Sequence, residues 1–328
     1  MSSQDRTANS SYGIDFTELD PEKIVVKNLE PKSSQNEKYK YANIKLGYEM
    51  QPGKVWGLTQ KLPDGLRGRV KERVGDDGLT KKYSVTLMHD YDDEERGQMD
   101  DMHVQKLYDE WAQIKRLIAQ SLIAMEADPK FGYLDLSTLR KSVERKGTWD
   151  VENILELIAD DEIVVRDPVF QISIEKDGVR TPIENSERRL ALKMKVTRPE
   201  DMPEQWRGLA SKYFHPRAAS QEKAEQIDIN DMIDLPHTGN YRMRIPHIYV
   251  AKGEGKYPKV HVQIFMVSCF NTQIVEANSM DEAIQDEADT VVVSDEKHEE
   301  QMEIFRKKVR ERKEKEEGGD PQAGYQEV

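Results

Sequence analysis

The sequence predicts a mainly β fold with α elements, an α+β chain in which one long helix separates two strand-rich regions and a charged helix lies near the C-terminus. Three observations predict it. Segments such as Ile44 to Met50 and Leu190 to Val196 alternate apolar and polar residues, the period of half-buried strands. Between them the period becomes 3.6, with Val104, Leu107, Tyr108, Trp111, Ile114, Leu117, Ile118, Leu122 and Met125 on one face of a helix over about 102–126. Third, a hydrophobic content of 37% suffices for one large domain or two small ones, while a charged fraction of 34% leaves part of the 328 residues outside any core.

Each element follows in chain order. Residues 1–36, rich in Ser, Asn, Asp, Glu and Lys, read as a disordered N-terminal arm. A strand is expected over Tyr39–Met50 and its partner over Lys54–Thr59, across the Pro52-Gly53 turn. Lys61–Lys82 carries Pro63, Gly65, Gly68, Gly75 and Gly78 and reads as a long basic loop with room for a short helix. Tyr83–Met88 is β-rich. Asp128-Pro129 ends the long helix, and shorter helices follow near 135–145 and 150–159, the second capped by Asp150. Strands return at Val164-Val165, at Val169–Ile174 before an Asp177-Gly178 turn, and at Arg188–Val196. In the last, Leu190, Leu192, Met194 and Val196 face inward and Arg189, Lys193 and Lys195 outward. Residues 199–225 read as irregular or partly helical. Tyr241–Val250 and Lys259–Phe270 read as two long strands joined by a hairpin over Ala251–Pro258. A weak helix is expected beyond Ala277, then the charged helix over Ser294–Glu317. The expected units are the arm, a body over 37–275 that carries the helices of about 102–160 as an insertion, and an acidic, charged tail over 276–328.

Several function classes lack residues to support them. No apolar run approaches the roughly 20 residues of a membrane-spanning helix. The polar start Met-Ser-Ser-Gln-Asp-Arg has no apolar signal region. Cys269 is alone and lies in an apolar run, so a soluble protein of a reducing, intracellular compartment is expected. Gly-x-Ser-x-Gly, Walker and dinucleotide motifs are missing, and Gly253-Glu-Gly-Lys256 is too short for a phosphate loop. The run Asp90, Asp92, Asp93, Glu94 and Glu95 reads as a solvated loop, because carboxylates adjacent in sequence rarely converge on one cation. The seven histidines show no metal-ligand spacing. The expectation is a non-enzyme without cofactor or metal.

Charge is unevenly placed. Of the net −13, the stretch Glu276–Glu303 holds −10, from eleven acidic residues and one basic. Arg188–Val275 carries fourteen basic residues against nine acidic, and Gln51–Ser84 eight against four. This asymmetry points to an anion-binding body with an acidic segment able to compete with phosphate or to recruit partners. Proteins that bind single strands without sequence preference combine a basic groove with aromatic faces. The candidate binding residues on that basis are Lys45, Lys54, Trp56, Tyr83, Lys193, Lys195, Arg242, Arg244, Tyr249, Lys252, Lys256, Tyr257 and Lys259. Trp56, Tyr249 and Tyr257 stand out for stacking, since each adjoins a turn with a nearby lysine.

The order of elements carries a resemblance. An early strand, Tyr41-Ala-Asn-Ile-Lys-Leu-Gly-Tyr48, precedes a β-rich segment ending near Met88 and the helix that includes Val104–Ile114. Val165-Arg-Asp-Pro-Val-Phe170, a hairpin and the Leu190–Val196 strand follow. The chain closes with Arg242-Met-Arg-Ile-Pro-His-Ile-Tyr249 and Val260-His-Val-Gln-Ile-Phe265. Over roughly residues 39–275 this resembles the OB-fold single-stranded DNA-binding proteins of nucleocytoplasmic large DNA viruses, the asfarvirus type included. The resemblance implies a five-stranded OB-fold-like barrel elaborated by a helical insertion. It also implies non-catalytic binding of single-stranded DNA in viral replication, recombination or repair, in the host cytoplasm, nucleus or viral factory, with packaging in the virion left open. Replication or repair proteins are then the expected partners of the acidic tail. It transfers no individual DNA contact. The long basic loop and the large C-terminal extension depart from a simple member. A viral structural or scaffold protein acting through protein contacts stays open as the alternative.

Overall fold

The computed structural model describes residues 14–33, 40–64, 66–75, 80–88, 101–165, 169–170, 173–176, 179–182, 189–253, 257–274, 292–293 and 295–317. Two sheets organise the chain. In chain order their main strands are β1 (Ile24–Ser33), β2 (Lys40–Gln51), β3 (Lys54–Trp56), β4 (Thr59–Lys61), β5 (Leu66–Val74) and β6 (Lys81–Met88). These are followed by β7 (Arg189–Val196), β8 (Lys212–Phe214), β9 (Pro236–Arg244), β10 (His247–Ala251), β11 (Lys259–Val262) and β12 (Phe265–Ile274). The helices used below are α1 (Asp101–Ala127), α2 (Ser137–Glu144), α3 (Val151–Ala159) and, near the C-terminus, α4 (Asp295–Glu317).

The first sheet closes on itself. β5 pairs antiparallel with β6, β6 with β7, β9 with β5 and β12 with β9. The ring shuts where β7 meets β12 in parallel at Lys195 and Phe265, with the Lys195 N–H donating to the Ile264 carbonyl at 2.7 Å. The molecule is thus mainly β, with a closed five-stranded barrel and several helices, consistent with an OB-like α+β fold. Alternation decides what fills the barrel: Leu66, Val70, Tyr83, Val85, Leu87, Leu192, Met194, Val196, Tyr241 and Met266 are all buried. Gly68 belongs to the same inward row. A Cβ there would collide with the Tyr241 hydroxyl, so the barrel holds this tyrosine only because β5 has no side chain at that point.

The second sheet is antiparallel, in the order β11-β10-β2-β1, with β3 added on β2. Its inner row of Ile24, Ala42, Ile44, Leu46, Tyr48, Ile248 and Val250 is buried. α1 packs against β1 on this side through a stripe that includes the buried Leu107, Trp111, Ile114, Ile118 and Leu122. Gln113 also donates to the Ile24 carbonyl at 3.3 Å. A buried acid on α1, Glu110, accepts a hydrogen bond from the Gln60 amide on β4. Burial pushes that carboxyl up to about 7 against the smaller opposing effect of the Gln60 bond. α3 opens on Asp150, which accepts from the Asn153 N–H at 2.9 Å.

Several expectations are corrected. Ile24–Ser33 is a full strand paired along β2, so the sheet begins inside the stretch read as an arm; polar composition concealed Ile24, Val26 and Leu29. Within the expected basic loop over Lys61–Lys82, Leu66–Val74 is strand β5. Val164-Val165 is not a strand; Val165 is buried while Val164 is exposed. The two long strands expected over Tyr241–Val250 and Lys259–Phe270 are each split between the sheets. Pro246, with no N–H to donate, stands where the chain leaves β9 in the barrel for β10 in the second sheet. Gln263 and Ile264 mark the return from β11 to β12.

The charged helix α4 rests on the body. His298 and Met302 are buried, Phe305 meets His215 edge to face at 5.0 Å, and Asp295 accepts from the Ser220 N–H at 3.1 Å and its hydroxyl at 2.7 Å. Of the acidic stretch read over Glu276–Glu303, residues 276–291 and 294 lie outside the described residues, as do the weak helix and the Asp177-Gly178 turn.

Candidate nucleic-acid interface

The outer side of the barrel over β5, β6 and β7 is a grid of cations. Residues that point outward on β5 are Arg67, Arg69, Lys71 and Arg73, in register with Met88, Thr86, Ser84 and Lys82 on β6. β6 in turn sets Thr86 beside Lys193 and Ser84 beside Lys195. Two rows therefore run across the strands, Arg69–Thr86–Lys193 and Lys71–Ser84–Lys195, with basic residues at both ends and small hydroxyls between. Neighbouring strands lie about 4.8 Å apart and outward residues repeat about every 6.8 Å along each strand. Arg69, Lys71, Arg73, Lys82, Lys193 and Lys195 are exposed. One acid intrudes among the described residues, Asp234, which pairs with Arg69 at 3.4 Å; Glu72, paired with Lys81 at 2.9 Å, is in register with Tyr83 on the opposite side of β5.

The second of these rows continues round the barrel. Phe265 on β12 stands opposite both Lys195 and Arg244, and the Lys195 ammonium lies over its ring at 5.3 Å. Arg244 is half-buried, and its Nε has no hydrogen-bond partner among the described residues. Burial strips water from the guanidinium and lowers its pKa.

The thirteen residues proposed from the sequence separate into groups. Lys195 and Arg244 share one row of the barrel, and Lys193 stands in the neighbouring row. Lys45, Tyr249 and Lys259 share the outer face of the second sheet, since His247 pairs with Lys45, Tyr249 with His261, and Ala251 with Lys259. The others serve elsewhere. Tyr83 is corrected: it points into the barrel, 3% exposed, with its hydroxyl donating to Glu72 at 2.9 Å and Arg198 over its ring at 4.2 Å, so it has no face for a base. Arg242 is buried against Phe270, whose ring it covers at 5.1 Å. Tyr257 donates its hydroxyl to Glu162, and Lys252 pairs with Asp135 at 3.0 Å; both tie the β10–β11 connection to the region of α2 and α3. Trp56 is exposed but stands opposite Tyr48, on the inner side of the sheet and away from Tyr249. Lys54 is exposed at the β2–β3 turn. Lys256 lies outside the described residues.

The sequence reading missed Arg67, Arg69, Lys71, Arg73 and Lys82. The signal was present, because Leu66, Gly68 and Val70 alternate with Arg67, Arg69 and Lys71. Gly68 made the run look like a loop, whereas here a glycine marks close packing inside a strand. No protein-family model, curated protein or solved structure matches the chain.

Proposed function

We propose that the protein binds single-stranded DNA without catalysis, holding the phosphate backbone on the outer face of β5, β6 and β7. The observation that carries this reading is the cationic grid of Arg69, Lys71, Arg73, Lys82, Lys193 and Lys195 on three adjacent strands. Regularly spaced cations neutralise phosphates and release counterions, which supplies sequence-independent affinity. In this reading β5, β6, β7, β9 and β12 are the strands of an OB barrel, and α1, α2 and α3 are an insertion between its second and third strands. The grid then lies on the face OB barrels use for oligonucleotides. A role in viral DNA replication, recombination or repair follows from the resemblance in element order.

A gel shift with matched single- and double-stranded oligonucleotides at low and moderate salt tests it. Retention of the single strand, weakening with salt by about 0.7 log units per contact per tenfold salt, is the expected result. A protein that shifts neither oligonucleotide at low salt leaves the scaffold reading in possession of the same sheets.

A further inference from the structure

We propose that the outer face of the second sheet is a base-stacking surface for the same strand, centred on Tyr249 and Tyr41, so that the barrel holds phosphates and the open sheet holds unpaired bases. The inference rests on the single-strand reading above and adds a second surface to it.

Register places the residues. Tyr41, Asn43 and Lys45 on β2 share a face with His247 and Tyr249 on β10 and with Lys259 and His261 on β11. The Tyr41 and Tyr249 rings meet edge on, with centroids 5.1 Å apart, and His247 meets Tyr249 edge on at 4.7 Å. These rings are half-buried and His261 is exposed, on the side of the sheet opposite the inner row that α1 covers. The contrast with the barrel aromatics is informative. Phe265 lies under Lys195, and Phe270 is stacked at 4.9 Å on Phe214 with Arg242 over it. Among the described residues no ring stacks flat on Tyr249 and no cation covers it. Aromatic pairs across strands also stabilise a sheet, so the choice of test must separate stacking from simple packing.

Charge suits an anionic strand. Lys32, Lys45 and Lys259 rim the face. The acids there are already engaged: Glu30 is shared by Lys45 at 2.5 Å and Lys32 at 3.1 Å, which hold its carboxyl down to about 2, and Glu49 accepts from the Gly53 N–H at 2.7 Å. The two surfaces are also continuous. From the grid the row Lys195–Phe265–Arg244 reaches the start of β10, and both Arg244 and Lys45 bear electrostatically on His247. A strand leaving the barrel past Phe265 therefore meets Arg244 and then the Tyr249 cluster.

The test uses the full chain, with single-stranded oligonucleotides of about 6 and about 20 nucleotides, one within and one beyond the usual site of a single barrel. Tyr249→Leu and Tyr41→Leu keep apolar bulk and charge but remove the stacking ring; circular dichroism and thermal melting confirm that each is folded. Each variant should bind the long oligonucleotide on the order of tenfold more weakly, with an unchanged salt slope and unchanged binding of the short one. A 5-iodouracil-substituted long oligonucleotide should photocrosslink within residues 247–251 of the wild-type protein. Folded variants that bind the long strand like wild type overturn the proposal, as does a missing crosslink there. If wild type binds single strands and only these results fail, the barrel reading survives. If wild type binds no single strand, both readings fall.

Discussion

The barrel and the second sheet are built from the same alternation, and they differ in what they place outside. On the barrel, outward positions of β5 are Arg and Lys and β7 adds Lys193 and Lys195, while the interior takes Leu, Val, Met and Tyr. On the second sheet, the inner row is aliphatic with Tyr48 and sits on the α1 side, while the outer row is Tyr, His, Asn and Lys. A closed barrel has no free edge, so its outer face can carry dense charge without losing a core. An open sheet needs cover on one side, here α1, and leaves the other for shallow aromatic contacts. The difference teaches that exposed cations and half-buried rings, which the proposed single-strand binding would use together, stand on separate layers that meet at Arg244 and His247.

The largest effect is expected where the second sheet depends on its cover. Ile118 is fully buried, and Ile118→Asp sets an unpaired carboxylate at the helix–sheet contact. It should cost about 4 kcal/mol or more in urea-induced unfolding. If separate probes on barrel and sheet lose structure together, the two layers form one cooperative unit; a sheet that unfolds while the barrel persists would divide them. Unchanged stability would show that α1 does not cover the sheet.

Next comes the buried acid linking α1 to β4. The folded value of Glu110, about 7, lies above its ordinary 4.5. Stability tied to its proton is therefore fully present below about pH 4.5 and lost as pH rises through about 7. Glu110→Gln mimics the protonated form. It should flatten stability across that window and raise it above pH 7 by about 3 kcal/mol, read from chemical denaturation at several pH values. An unaltered pH profile would mean that Glu110 gains water or a counter-charge in solution.

The comparison itself is sharpened by Lys193→Glu with Lys195→Glu. Stability should move by less than about 0.5 kcal/mol, because both side chains are exposed. The salt slope for single-stranded DNA should flatten by about 1.4, from two lost contacts. A slope that stays put moves the phosphate track off the barrel. The smallest effect is expected at Lys252, whose ion pair with Asp135 is exposed at both ends. Lys252→Ala should cost less than about 1 kcal/mol and leave the salt slope alone. A flattened slope would extend the phosphate track onto the β10–β11 connection.

Local periodicity determined much of this protein from its sequence. α1 is visible in the spacing of Leu107, Trp111, Ile114, Ile118 and Leu122, and β7 in the alternation that puts Lys193 and Lys195 outside, because both patterns record which side of one element meets water. The cationic character of the body was legible as charge asymmetry. Tertiary structure alone decided which cations stand together, since Arg69, Thr86 and Lys193 become neighbours only through pairing of distant strands. It also decided that Tyr83 faces inward while Tyr249 faces outward. Both lie in alternating runs, and an alternating run shows that a strand has two faces without naming the covered one. Pairing and closure made that choice: β6 turns Tyr83 into the barrel, and α1 covers the face of the second sheet that Tyr249 does not share.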